Sequence, residues 1–190
     1  MKSFGFLNLS GICGMSLIFI ISSVLIMSIQ NAQWFSWTDN AISDLGRPEH
    51  GMPFFNLALG FIGILLLVFS IGLVTSLKKE RIGPTILALS SIYFIGIGIF
   101  PLPDPNHIDV SGLFFIAFPL SFLILGLQLY KRNNVFLRKM GRFAIVIGII
   151  SALSPIILLF YEGIAIPEVI IIIPGFTWCF LYGLNLFLKK

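Results

Sequence analysis

Long apolar segments alternate with short polar connections along the chain. Six of these segments carry no charged side chain in their middle, and each comes close to the roughly 20 residues that a helix needs to cross a bilayer core. The third is the shortest, because Pro101 and the prolines after it cannot supply helical N–H groups. The pattern predicts an all-α fold, a polytopic membrane bundle in a single domain over residues 1–190. The six predicted transmembrane helices span about 5–29, 54–77, 83–101, 108–130, 138–160 and 165–188.

The composition agrees with a membrane protein. Hydrophobic residues make up 57% of the chain and charged residues only 11%, whereas a soluble domain carries roughly 25% charged residues. The first apolar segment resembles a signal peptide, but it is too long for one and lacks a clear small-residue cleavage site after it. We therefore interpret it as a retained helix.

The distribution of charge predicts an orientation. If the six segments cross the membrane, one side holds eleven of the 12 Lys and Arg residues, and Arg47 alone lies on the other. The positive-inside rule then places both termini in the cytoplasm of a cell-membrane protein. The net charge of +4 is explained by these clusters, so it does not indicate nucleic-acid binding. The partner that the sequence predicts is the lipid bilayer, and it leaves the oligomeric state open.

Most acidic residues and both histidines, His50 and His107, lie on the predicted outer side. In the long outer loop from Gln30 to Pro53, Thr38 or Asp39 is placed to cap a short helix. Gly46 is placed to end that helix in a left-handed conformation. Within it, Asn40 and Asp44 would share a face, as would Asp39 and Ser43. Capping explains Asp39 as well as function does, but Asp44 lies too late in the helix to cap its start.

The second outer loop brings Asp104, His107 and Asp109 within six residues of one another. A carboxylate and an imidazole so close in sequence suit an acid/base pair or two ligands of one divalent metal. The alternative is a solvated loop in which Asp104 or Asn106 caps the fourth helix. In the third outer turn, the helix macrodipole is sufficient to explain Glu168 at a helix N-terminus.

Three consecutive helices, the fourth to the sixth, contain Pro119, Pro155 and Pro174 respectively. Proline frees a backbone carbonyl and kinks a helix, and interrupted helices in membranes tend to line cavities. Each proline alone means little, since proline is common in such helices. Together they predict a pocket that opens toward the outer side.

Two pieces of the sequence carry a resemblance. One is the segment from Asn40 to Gly46 followed by Asn56, and the other is Phe100-Pro101 with Asp104 and His107. Together they resemble the prokaryotic six-helix membrane family called domain of unknown function 998, over the whole chain. The segment from Ile42 to Glu49 is also similar to a short motif of the eukaryotic DRAM/Frag-type membrane proteins, which implies the same six-helix plan and a link to lipid. The resemblance draws attention to Asn40, Ser43, Asp44, Gly46, Asn56, Pro101, Asp104 and His107.

Three functions are consistent with these features. The first is an extracytoplasmic polar site that binds or modifies a lipid or another amphiphile, with Asp44, Asp104 and His107 as acid/base groups or ligands. Its candidate binding residues are Asn40, Ser43, His50 and Asn56. The second is a non-catalytic scaffold or sensor. The third is a small transporter or channel, against which stands the absence of an ionisable residue deep in any predicted span.

Overall fold

The computed structural model describes residues 5–50 and 53–188, and the described part is helical without strands. It contains six long α-helices: α1 Phe6–Asn31, α2 Pro53–Ser76, α3 Ile82–Ile99, α4 Asn106–Tyr130, α5 Val135–Leu153 and α6 Ala165–Leu188. Short 3₁₀ helices cover Ile42–Gly46, Pro48–His50 and Ser154–Leu159. All six long segments, α5 together with its 3₁₀ extension, are long and apolar enough to cross a membrane. The prediction of a six-helix membrane bundle is thereby confirmed.

Each helix packs against the next along the chain, and α6 returns to pack against α1. The contact between α5 and α6 is thinner than that between the other neighbours. Aromatic side chains of α3, α4 and α6 fill the centre, where Phe94, Phe118 and Phe176 are fully or almost fully buried. The Phe176 ring meets the rings of Phe94 and Phe118 edge to face. Phe114 lies between Phe94 and Phe118 and contacts both rings. Aliphatic side chains such as Ile116 and Leu159 are exposed on the outside, as expected of helices that face lipid.

The two ends of the bundle differ in charge. We call one end the acidic end; it holds the α1–α2, α3–α4 and α5–α6 connections. The opposite, basic end holds the α2–α3 and α4–α5 connections together with the ends of the described chain at Gly5 and Leu188. The predicted assignment of the basic end to the cytoplasm stays a prediction.

Two details of the sequence analysis are wrong. The short helix of the α1–α2 connection is a 3₁₀ helix that starts at Ile42, so neither Thr38 nor Asp39 caps it and Asn40 lies outside it. Gly46 does not have a positive φ. Its lack of a side chain is needed for another reason: a Cβ atom there would collide with the side-chain oxygen of Asn56.

Candidate functional site

The acidic end is held together by its connections. The N–H of Gly163 donates to the carbonyl of Thr38 at 2.7 Å, and that of Ala165 donates to the carbonyl of Asn40 at 3.0 Å. The α1–α2 connection is tied to α2 as well, because Asn56 Nδ2 donates to the Gly46 carbonyl at 2.7 Å. These contacts place the buried Ile42 and the adjacent Ser43 over the centre of the bundle.

Beneath Ser43 lies a small cavity, which we call the central cavity. Side chains from the 3₁₀ helix and from every long helix except α5 line it, and most of them are apolar. The space open to the centres of water molecules is about 30 Å³, enough for one or two water-sized groups. Its polar side chains are Ser43, His107, Ser111 and Glu168.

The hydrogen bond of His107 fixes the role of one ring nitrogen. Nδ1 lies 2.7 Å from the carbonyl oxygen of Phe100. A carbonyl can only accept, so Nδ1 carries a proton, and Nε2 is the nitrogen that can accept when the ring is neutral. His107 is only 5% exposed, and it stands in the first turn of α4, where its N–H bonds the Asp104 carbonyl at 3.0 Å.

Glu168 is also buried, with 6% of its surface exposed. Its Oε2 accepts the N–H of Ile42 at 2.5 Å. Within the described part of the chain it forms no ion pair with Lys, Arg or His. The helix macrodipole was a sufficient explanation for this residue in the sequence, where its burial is not visible. Its signal in the sequence was a carboxylate inside the first turn of a membrane span.

Ser111 was also overlooked. His107, Ser111 and Phe115 are spaced four residues apart on α4 and all three line the central cavity. Side chains at this spacing share one face of a helix. The spacing alone was therefore sufficient to predict that Ser111 accompanies His107.

The remaining candidates have local partners outside the central cavity. Asp44 accepts the Ala41 N–H at 2.8 Å and pairs with Arg47 Nε at 2.7 Å. The hydrogen bond that Arg47 Nε donates to Asp44 is the main cause that raises the pKa of the Arg47 guanidinium above its usual range. Asp104 accepts the backbone N–H of Asn106 at 2.8 Å, although the N-cap position of α4 belongs to Pro105.

Of the binding candidates, Ser43 alone lines the cavity. Asn40 Oδ1 accepts the Ser36 N–H at 2.8 Å, Asn56 holds Gly46, and the His50 ring stacks on Trp34 with centroids 3.8 Å apart. In residues 5–50 and 53–188, no three His, Cys, Asp or Glu side chains come together as a metal site. The catalytic roles of Asp44 and Asp104 stay predictions.

Two apolar grooves on the outside of the bundle adjoin the central cavity. The larger, which we call the α4–α5 groove, has about 520 Å³ open to the centres of water molecules. Pro119 and Pro155 both line it, but Pro174 does not, and the groove faces the outside of the bundle, so the outward-opening pocket of three prolines stays a prediction. Phe115 lines both this groove and the central cavity. The second groove, of about 390 Å³, lies between α1 and α6, and Leu25 and Val169 separate it from the cavity.

Comparison with known families gives the family. The family described as Protein of unknown function (DUF998) matches residues 13–185. The chain belongs to this family. The resemblance noted in the sequence is thereby confirmed for DUF998, while the similarity to DRAM/Frag-type proteins stays a prediction. No curated protein and no solved structure matches the chain significantly.

Proposed function

We propose that this DUF998 protein binds a membrane amphiphile, with the polar group in the central cavity and the apolar chain in the α4–α5 groove. The observation that carries the proposal is the position of Phe115, whose side chain is shared by the cavity wall and the groove wall. A ligand whose one end is polar and whose other end is apolar fits two such neighbouring spaces. Sites of this kind combine an apolar lining with a few polar groups that fix orientation.

The relative sizes limit what enters each space. The central cavity admits only the terminal polar group, because about 30 Å³ holds little more than a water-sized group. The groove is far larger and its rim, formed by residues such as Ile116 and Leu120, is exposed on the lipid-facing surface. Movement of the Phe115 side chain would join the two spaces. His107 Nε2 would then face the polar group as an acceptor, and as a base if the ligand is modified.

Photolabelling tests the proposal. The purified protein in maltoside micelles is irradiated with decylamine, decanol and decyl phosphate, each carrying a diazirine at the far end of the chain. We expect saturable labelling of peptides from α4 and α5 by at least one probe. Ala152→Trp fills the groove from an exposed position and should abolish this labelling. Leu153→Trp is the matched control, because Leu153 is exposed beside it and does not line the groove.

The polar end of the site is tested by His107→Asn. Asparagine can keep a donor to the Phe100 carbonyl while removing the acceptor at Nε2, so the α4 turn is preserved and saturable labelling weakens. Non-saturable labelling spread over all lipid-facing helices, equal in Ala152→Trp and Leu153→Trp, would reject amphiphile binding. A scaffold or sensor role would then be favoured, and flux of polar solutes into liposomes would favour a transporter.

We propose further that the basic end faces the cytoplasm of the cell membrane, since the excess of Lys and Arg on that side follows the positive-inside rule. The central cavity then opens near the extracytoplasmic surface. A cysteine at Glu49 should react with a membrane-impermeant maleimide in intact cells, and one at Lys79 should not. Cys13 and Cys179 are buried and give little background. The reverse labelling pattern would reject this orientation.

A further inference from the structure

We infer that the polar group taken by the central cavity is a primary ammonium. This inference rests on the proposed function and names the class of its ligand. It starts from the hydrogen-bonding inventory of the cavity. The carboxylate form of Glu168 accepts, and so does Nε2 of His107 when the ring is neutral, because Nδ1 donates to Phe100. The hydroxyl proton of Ser111 is used on the Ile108 carbonyl at 3.2 Å, which leaves its oxygen as an acceptor.

A ligand group that donates matches these three acceptors. An ammonium group has three N–H donors and no acceptor, which matches three acceptors supplied by Glu168, His107 and Ser111. The Ser43 hydroxyl can donate or accept, so it does not change this balance. An ammonium group is also close to water in size, as the volume of the cavity requires.

Charge favours the same group. A buried carboxyl group is costly to ionise without a cation, because the protein interior does not replace the hydration of the charged form. Glu168 has one backbone N–H and, among the described residues, no cationic partner. A ligand ammonium would supply that partner. Lys and Arg are absent from the lining of the cavity, where a phosphate would need them.

The other buried carboxylate of the described chain has a cation beside it. Glu80 is 7% exposed and lies in the α2–α3 connection at the basic end. Arg132 Nη1 lies 3.4 Å from its Oε1. A neighbouring cation therefore distinguishes Glu80 from Glu168, although their exposed fractions are nearly equal. Glu80 is therefore a matched control for a substitution that removes charge.

The head groups of the three photoprobes test the inference. With equal chains, saturable labelling by decylamine should be displaced by unlabelled decylamine at a concentration at least tenfold lower than by decanol, and decyl phosphate should not displace it. Glu168→Gln should weaken decylamine labelling at least tenfold and leave decanol labelling nearly unchanged. Glu80→Gln should retain wild-type labelling by both probes.

Ethylamine separates an amphiphilic amine from a free one. If the chain contributes to binding, ethylamine displaces decylamine far more weakly than unlabelled decylamine does. Equal displacement by decylamine, decanol and decyl phosphate, with saturable labelling retained in Glu168→Gln, would overturn the ammonium inference while leaving amphiphile binding intact. Equal potency of ethylamine and decylamine would keep the ammonium site and reject the amphiphile.

Discussion

Two carboxylates in this bundle are buried to nearly the same degree, one at each end. Glu80 at the basic end has Arg132 as an ion-pair partner, and Glu168 at the acidic end has a single backbone N–H. Because the protein itself supplies a cation beside Glu80, this carboxylate needs no ligand to balance its charge. The comparison teaches that burial alone does not mark a site: the informative feature is a buried charge whose partner is missing from the described chain.

The ends also differ in how their connections are held. At the basic end, side chains reach across: Glu80 meets Arg132, and Gln128 Oε1 accepts the Gly83 N–H at 3.3 Å. At the acidic end, the Asn56 side chain also reaches across to Gly46, and two connections meet backbone to backbone, because Gly163 lies directly against Asn40. A backbone contact this close leaves no space for an added side-chain atom, so it is sensitive to substitution of Gly163.

The largest effect is expected from Gly163→Ala. A Cβ atom at this position would lie 2.5 Å from the backbone nitrogen of Asn40 and 2.6 Å from its oxygen. The two connections must separate to admit it, which should cost about 1–3 kcal/mol of unfolding free energy, as overpacking does. Thermal unfolding in micelles measures the loss as a lower Tm.

The control for this change is Gly112→Ala. A Cβ atom at Gly112, on the exposed side of α4, meets no other atom within 4 Å. Alanine is also the better helix former, by roughly 1 kcal/mol, so its Tm should stay equal or rise. If Gly163→Ala were as stable as Gly112→Ala, the rigid contact between the two connections would be disproved.

The periodicity and composition of the sequence were sufficient to predict the six helices. Each membrane span needs enough consecutive apolar residues, and this can be judged from each segment by itself. His107 and Ser43 became candidates for other reasons, the clustering of polar residues in the outer loops and the family resemblance. The sequence did not show which acidic residues would find local partners. Asp44 and Asp104 were favoured, yet both are bonded within a few residues of their own position.

Glu168 was passed over for a related reason. Its contact with Ile42 joins residues 126 positions apart, and no local pattern reveals a contact between two distant connections. The macrodipole explanation was sound for an exposed glutamate at the start of α6. It failed to anticipate that the α1–α2 connection folds over this helix end and excludes water. Burial by a remote segment is the part of the site that only the structure supplies.

A second prediction compares how the Tm changes when each of the two buried carboxyl groups is replaced by an amide. In the absence of ligand, Glu168→Gln should leave the Tm unchanged or raise it, because it removes the cost of burying an ionisable carboxyl group while the amide oxygen still accepts the Ile42 N–H. Glu80→Gln should lower the Tm, because it removes the partner of Arg132. A change of about 1 kcal/mol corresponds to about 2–4 °C for a chain of this length. A fall in Tm for both variants would show that Glu168 is satisfied without a ligand.

The smallest effect is expected at Asp44, although the sequence favoured this residue as a catalytic candidate. Asp44→Asn keeps an oxygen for the Ala41 N–H and loses only the charge that faces Arg47, whose side chain is 32% exposed. Partly exposed ion pairs contribute about 0–1 kcal/mol, so the Tm should fall by a few degrees at most and photolabelling should stay at the wild-type level. Glu49→Gln is the control, since its side chain is 55% exposed and lies 3.5 Å from Arg47; no change is expected. If Asp44→Asn abolished decylamine labelling at an unchanged Tm, Asp44 would belong to the binding site. A local partner such as Arg47 would then not distinguish a structural carboxylate from a binding one such as Glu168.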